Sequence, residues 1–437
     1  MEKIQHINPL AKELNETLAS CVAGRLLSGL GKRLYFPKGI IAQSGEAKKF
    51  GTTANATIGM ALKDGKPLML SSLKDQLPKM TAVQAVAYPP TAGNEDLRNI
   101  WQAAILKKNP SLHNIKISLP VLVPGLTAGI SYLSDIFLGD GTVLLSGDPA
   151  WDNYVLIVET RRNASLKGFS LFTKTGFDTE GFRSAVMEEA KTGKVRMLLN
   201  FPQNPAGYTP TTKETKEIVK IIIEAADSGA DILVWCDDAY FGLDYENDIE
   251  KESLFAYLAG AHEKILAIKI DGPTKEDYVW GLRTGFLTFG SKGMNEAQYE
   301  ALIKKLMGAI RSSVSCASAP SQSLLLNILA DPRTEGEKEE FRKLLEERYQ
   351  IVRKFINDRA GHPVLTALPF NSGYFMSMKC TGVGAEELRV KLLQEYGIGT
   401  ISIDPTHLRV AFSSVDTDKL EMVFETIFRV AQEMVKK

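Results

Sequence analysis

The chain has 437 residues, too many for one simple core and suited to a large domain with a smaller one. It is 44% hydrophobic and 24% charged, as globular chains are, and its 52 basic and 52 acidic residues cancel to zero formal charge. That balance gives no support to nucleic acid or an anionic membrane as partner, and no long run of one sign restores either.

The N-terminal stretch MEKIQHINPLAKELNETLAS mixes polar and apolar residues and has no apolar signal core. No apolar stretch is long enough to span a bilayer. The four cysteines, Cys21, Cys236, Cys316 and Cys380, are far apart and form no CxxC pair. These features lead us to expect a reduced, cytoplasmic protein.

Residues 1–65 read as an N-terminal arm, a helix followed by the Gly-rich stretch SGEAKKFGTTANATIGM. Short apolar strand candidates follow at 143–147, 195–201, 231–237, 264–270 and 285–290. They lack polar alternation, as strands buried on both faces do. Helical patterns lie between them. In TKETKEIVKIIIEAADSG the apolar residues recur at helical spacing and Gly229 marks the stop. The alternation predicts an α/β fold with a mostly parallel sheet flanked by helices. A charged segment from about 331 predicts a long helix, followed by strands near GYFMSMK and HLRVAFS and a C-terminal helix. The expected division is an arm with part of a small domain (1–65), a large domain (66–330) and a C-terminal small domain (331–437).

Ligands of such sheets gather at the carboxyl ends of the strands, so the polar residues there carry the functional reading. In LPVLVPGLTAG a strand runs through Gly125 and Thr127 into a helix whose first N–H groups can bind an anion. No GK[ST] follows, and GxGxxG is absent, which weakens a nicotinamide reading. Trp151, in SGDPAWDNY, either packs plainly or stacks on a planar ring. Asn204 and Gly207, in NPAG, form a turn on either reading. Asp237 ends an apolar strand, with Tyr240 three residues on. It is a helix cap or an anion set against a cationic ring. Lys275 follows the turn Asp271–Pro273 after a strand, and Arg283 lies eight residues later in a segment where a phosphate would give it a bidentate partner.

Taken in order, Trp151, Asn204-Pro-x-Gly207, Asp237-x-x-Tyr240, Lys275, Arg283 and Arg409 resemble the class I aminotransferases of pyridoxal-phosphate (PLP) fold type I. The likeness runs from about Asn55 to Phe412. NATIGMALKDGKPLML and AYPPTAGNEDLR look like segments of the aspartate aminotransferases. The resemblance implies that Lys275 carries pyridoxal 5'-phosphate as a Schiff base and later moves the proton at the substrate Cα. Lys269, on the preceding strand, is a rival whose spacing to Arg283 does not suit the family. By the same resemblance Asp237 keeps the ring nitrogen protonated, Asn204 and Tyr240 bond the ring oxygen, and Trp151 stacks on the ring. Arg283, Thr127 and the backbone near Gly125 hold the phosphate. Tyr88 reaches the phosphate of a neighbouring subunit, which implies a homodimer with shared sites. Arg409 grips the substrate α-carboxylate, with Gly59 beside it.

LMGAIRSSVSCASAP resembles the segment whose arginine, from the partner subunit, pairs with a side-chain carboxylate. Arg311 would then favour aspartate and glutamate, although aromatic-amino-acid relatives also carry an arginine there. Three positions depart from the family. Gly272 stands where a phosphate-binding serine is common, with Thr274 as a substitute. Tyr154 replaces the histidine behind the ring-nitrogen aspartate, and Asp238 replaces an apolar residue. The expected activity is ping-pong transamination between an L-amino acid and a 2-oxo acid, with no metal. The alternatives are an aromatic-amino-acid aminotransferase, a β-lyase or decarboxylase on the same fold, and a regulator built on a degenerate form of it.

Overall fold

The computed structural model describes residues 7–18, 40–57, 59–76 and 79–435. Cys21 and much of the expected arm lie outside the described residues. Seven strands build the larger sheet: β1 (Val121–Val123), β2 (Val143–Asp148), β3 (Ser165–Ser170), β4 (Lys194–Asn200), β5 (Asp231–Asp237), β6 (Ile265–Asp271) and β7 (Gly285–Gly290). Their order is β1-β7-β6-β5-β4-β2-β3. The pairs β2–β3, β2–β4, β4–β5 and β5–β6 are parallel, and β7 runs antiparallel to both its neighbours. The fold is α/β, with a mixed central sheet flanked by helices.

Strand alternation divides the apolar residues between two cores. Val234 and Cys236 face Trp101, Phe182 and Ile222 on one side, and Trp235, Ile268 and Ile270 face Ile130, Leu133 and Tyr154 on the other. The helix Thr212–Asp227 shows how a covering element is set locally. Thr211 Oγ1 accepts from the Glu214 N–H, and Glu214 Oε2 accepts from the Thr211 N–H. Ile218, Ile221, Ile222 and Ala225 then fall on its buried face, and Gly229, at φ 107°, turns the chain back into β5.

A second sheet has the order β8-β9-β11-β10, from β8 (Leu365–Ala367), β9 (Met376–Cys380), β10 (Ile401–Asp404) and β11 (His407–Val410). The long helix Thr334–Asn357 and the C-terminal helix Leu420–Val435 pack on one apolar core with it. The Gly-rich stretch after the first helix is more regular than its composition predicts. Residues 44–50 complete the helix Ile40–Phe50, and Ala54–Asn55 pair in parallel with Ile398–Gly399. Glycine within a helix weakens it by only about 1 kcal/mol, which packing against β10 offsets.

Gly207 joins the two sheets' surroundings. Its carbonyl accepts the N–H groups of Asn371 and Ser372, at 2.8 and 3.0 Å. It sits at φ 77°, and a Cβ there would lie 2.0 Å from the Phe375 carbonyl oxygen. Gly207→Ala is expected to cost about 3 kcal/mol or more, because both backbones must move. Gly193→Ala, at φ 81° with nothing near the added carbon, should cost about 1 kcal/mol. Chemical denaturation of the two variants checks the difference.

Candidate active site

The carboxyl ends of β1, β2, β4, β5 and β6 bring the sequence-predicted residues to one place. Asp237, at the end of β5, is 3% exposed. Its Oδ2 accepts the Tyr154 hydroxyl at 2.5 Å and its Oδ1 the Ala239 N–H at 3.2 Å. Burial raises its pKa, while the Tyr154 hydrogen bond and the nearby Lys275 ammonium oppose the rise. Burial and the Asp237 charge push the Tyr154 phenol well above its ordinary value, so it remains a donor. Trp151 meets Tyr154 edge-on, with ring centroids 5.3 Å apart.

Lys275 lies on the four-residue helix Pro273–Glu276. Its Nζ is 4.6 Å from the centre of the Tyr240 ring. Burial lowers its pKa to about 8; Asp237 opposes the fall and Arg283 adds to it. Somewhat under a tenth of the amine is therefore neutral at pH 7, far more than for an ordinary lysine, and a nucleophile requires the neutral form.

Arg409, on β11, reaches the same space from the second sheet and is 3% exposed. Nη1 donates to Asn204 Oδ1 at 3.1 Å and Nη2 to the Thr57 carbonyl at 3.3 Å. Its guanidinium stacks 4.2 Å from the Phe375 ring centre, and its Nε is buried with no hydrogen-bond partner among the described residues. A buried, incompletely paired guanidinium suits an anion that donates nothing. Gly59 lies behind the stack, its Cβ position 3.7 Å from Phe375 Cζ.

Gly125 opens the helix Leu126–Phe137, which carries Thr127 in its first turn. At φ 91°, a Cβ on Gly125 would fall 2.6 Å from Arg283 Nη2, so the guanidinium lies directly on that backbone. Arg283 itself holds φ 52°, a strained setting for a non-glycine residue, and its Nη1 donates to the Trp280 carbonyl at 3.1 Å. The helix start and Arg283 thus set backbone N–H groups and a guanidinium side by side, the donors an anion needs.

Two expected residues stay outside this group within one chain. Tyr88 is 92% exposed, and Arg311 is exposed at the end of the helix Glu296–Arg311. Three contributors escaped the sequence reading. Asn200 bridges the site's walls: Nδ2 donates to the Asp237 carbonyl at 2.7 Å and Oδ1 accepts the Asn204 N–H at 2.8 Å. Its place at the end of β4 was a usable signal. Phe375 and the Thr57 carbonyl gave none, because chain folding alone puts them beside Arg409.

The three departures have physical reasons. At Gly272 a Cβ would meet Leu126 Cδ1 at 2.9 Å and the Thr284 carbonyl at 3.0 Å, leaving no room for serine. Asp238 points to the opposite face of the sheet from Asp237. There it is 5% exposed, bonded to Lys269 and Ser253. Lys269 is 1% exposed and also lies 3.6 Å from Asp271, whose Oδ1 takes the Trp101 Nε1–H at 3.2 Å. The rival lysine is thus held by two carboxylates behind the sheet, away from Asp237.

Residues 59–427 match the family described as aminotransferase class I and II. The chain belongs to this family. It is 24% identical over 353 residues to the probable N-acetyl-LL-diaminopimelate aminotransferase of Bacillus subtilis, covering 77% of this chain and 81% of that one. It is 24% identical over 356 residues to the aromatic-amino-acid aminotransferase 2 of Thermococcus litoralis, covering 79% and 84%. A solved aminotransferase of Anaerococcus prevotii shares the fold at TM-score 0.78 and 22% identity, covering 92% and 97%. As a class I and II aminotransferase, this protein is a PLP-dependent enzyme that acts on amino and oxo acids. No described helix is long and apolar enough to cross a membrane.

The buried pair behind the sheet generates a pH prediction. Burial raises the Asp271 pKa to about 6, with Lys269 opposing. A carboxyl whose folded pKa is raised stabilises the fold below its unfolded value near 4, and that contribution is lost as pH rises through about 6. Its size is roughly 3 kcal/mol. Asp271→Asn should remove this component, flattening the stability profile between pH 4 and 7 in denaturant titrations.

Proposed function

We propose that the enzyme transfers the amino group of an L-amino acid, with aspartate and glutamate favoured, to a 2-oxo acid, and that Lys275 holds the cofactor. What supports this most is the pairing in one pocket of an amine held to about 8 with a buried carboxylate, Asp237, that lacks a strong cationic partner. The residues fit pyridoxal phosphate. Asp237 suits a protonated ring nitrogen, and Asn204 and Tyr240 suit the ring oxygen. Trp151 suits the ring face. Gly125, Thr127 and Arg283 suit the phosphate, since the Gly125 cradle would be filled by any Cβ. When bound, the cofactor supplies an electron sink that lets the substrate Cα–H bond ionise.

The chain's own residues do the rest. Arg409 binds the substrate α-carboxylate with its incompletely paired guanidinium, and Gly59 leaves room beside it. With the cofactor bound, the Lys275 amine would take the proton from the substrate Cα as general base and give it back as general acid. Asp237 holds the proton at the ring nitrogen, and Tyr154 fixes the carboxylate that does so. Phe375 and Tyr240 exclude water from the Arg409 side.

Arg311 and Tyr88 act in the neighbouring subunit of a cytoplasmic homodimer. Their exposure supports this, as does the apolar surface of Val83 (74% exposed) and Val86 (80% exposed) next to Tyr88. In this reading residues 1–65 make an N-terminal arm and part of the small domain, 66–330 the large domain and 331–437 the C-terminal small domain. An aromatic substrate is the second reading, favoured by the Phe375 and Tyr240 rings beside Arg409.

Borohydride should abolish the cofactor's visible absorbance band and fix the label on the peptide carrying Lys275, and Lys275→Ala should lose band and turnover together. Retention of both would overturn the assignment. Amino acids should discharge the band without release of ammonia or carbon dioxide, which a lyase or decarboxylase would produce. Arg311→Ala should lower kcat/KM for aspartate and glutamate about 100-fold while sparing aromatic substrates. Equal losses would remove Arg311 from the specificity reading.

A further inference from the structure

The short helix that carries Lys275 is held in part from outside the seven-stranded sheet. The Lys275 carbonyl accepts the Tyr374 hydroxyl at 3.2 Å. Tyr374 is fully buried just before β9, and burial pushes its phenol well above the ordinary value, so it stays a donor. Its ring meets Tyr240 edge-on at 5.5 Å. Its chain neighbour Phe375 meets Tyr240 at 5.5 Å and lies under the Arg409 guanidinium.

A second tether starts two residues after the lysine. Asp277, 1% exposed, forms an ion pair with Lys338, Nζ to Oδ1 2.8 Å, from the long helix Thr334–Asn357. The contact is one of charge and distance, because its angles fall outside hydrogen-bonding geometry. Tyr278 then packs edge-on against Phe341 of the same helix, at 5.0 Å. Two contacts tie the helix back toward the large sheet: Glu276 pairs with Lys108 of the helix Glu95–Lys108, and Thr274 Oγ1 donates to the Thr284 carbonyl just before β7 at 3.5 Å.

We propose that Tyr374 is a positioning residue for Lys275, with the Asp277–Lys338 pair as its second tether, so that the half of the molecule that carries Arg409 also sets where the amine stands. The proposal rests on the reading that Lys275 holds the cofactor. Its physical content is simple. The hydroxyl and the ion pair both act on the C-terminal end of a four-residue helix whose first residue follows directly from β6, leaving the side chain few ways to point. Substrate recognition at Arg409 and amine placement at Lys275 then share one packed body through Phe375 and Tyr374.

The test uses the full chain depleted of cofactor, with pyridoxal phosphate as probe. The rate of covalent attachment, fixed by borohydride and mapped by peptide mass spectrometry, is measured alongside kcat, KM and the denaturation midpoint. Tyr374→Phe removes only the hydroxyl and should slow attachment roughly three- to tenfold, the effect of one hydrogen bond. Its kcat should fall with KM little changed. Lys338→Met should slow attachment by a similar factor, and Lys338→Arg should restore it. If both single variants attach at the wild-type rate and lose only stability, the tethers are merely structural and the proposal is overturned. If Lys275→Ala still takes up the label at the wild-type rate, it is the lysine reading that has failed. Loss of label in Lys275→Ala with no effect of Tyr374→Phe refutes Tyr374 alone.

Discussion

A carboxylate buried at the end of the central strand β5 is the constraint around which the site is arranged. An isolated charge in such a place is costly, and the group must be paired, hydrogen-bonded or neutralised. Asp237 meets that demand with Tyr154, the Ala239 N–H and the nearby Lys275 amine. None of these is a full counter-charge in contact. Burial shifts both Asp237 and Lys275 toward their neutral forms, and the proposed chemistry would draw on that opposition.

The same strand end carries a second acid, and the pleat resolves the conflict between them. Asp237 and Asp238 face opposite sides of the sheet, so their charges do not share one cavity. The side holding Asp238 is compensated by Lys269, with Ser253, Asp271 and Trp101 completing the network. A buried ion cluster of this kind contributes less net stability than its contacts suggest, because desolvation offsets them. Removing one member is costly, since the rest remain charged in an apolar surround.

Much of the fold was legible because strands buried on both faces leave short apolar runs between amphipathic helices. The runs at 231–237 and 285–290 match β5 and β7 to the residue. The helix after Thr211 follows from a capping box and the spacing of its isoleucines. The arm was less legible. Residues 44–50 contain glycine and lysine yet are helical, because packing against the second sheet outweighs their propensity. The candidate site was legible at Asp237, Asn204 and Lys275, polar groups that follow apolar strand runs in the sequence. It was not legible at Tyr374, Phe375 or the Thr57 carbonyl, which enter from distant parts of the chain.

The sequence by itself determined the family, the α/β alternation and the order of the polar residues after the strands. Each of these is a local pattern or an ordered spacing, and needs no knowledge of contacts. The spacing to Arg283 already favoured Lys275 over Lys269, and the tertiary structure supplied the physical reason. Lys269 lies on β6, whose pleat turns it to the Asp238 side, while Lys275 lies beyond the strand end, where the chain bends back over Tyr240. Only the tertiary structure brought Arg409 to Asn204 across 205 residues. Pleat and chain return set those relations, and neither is written in a local spacing.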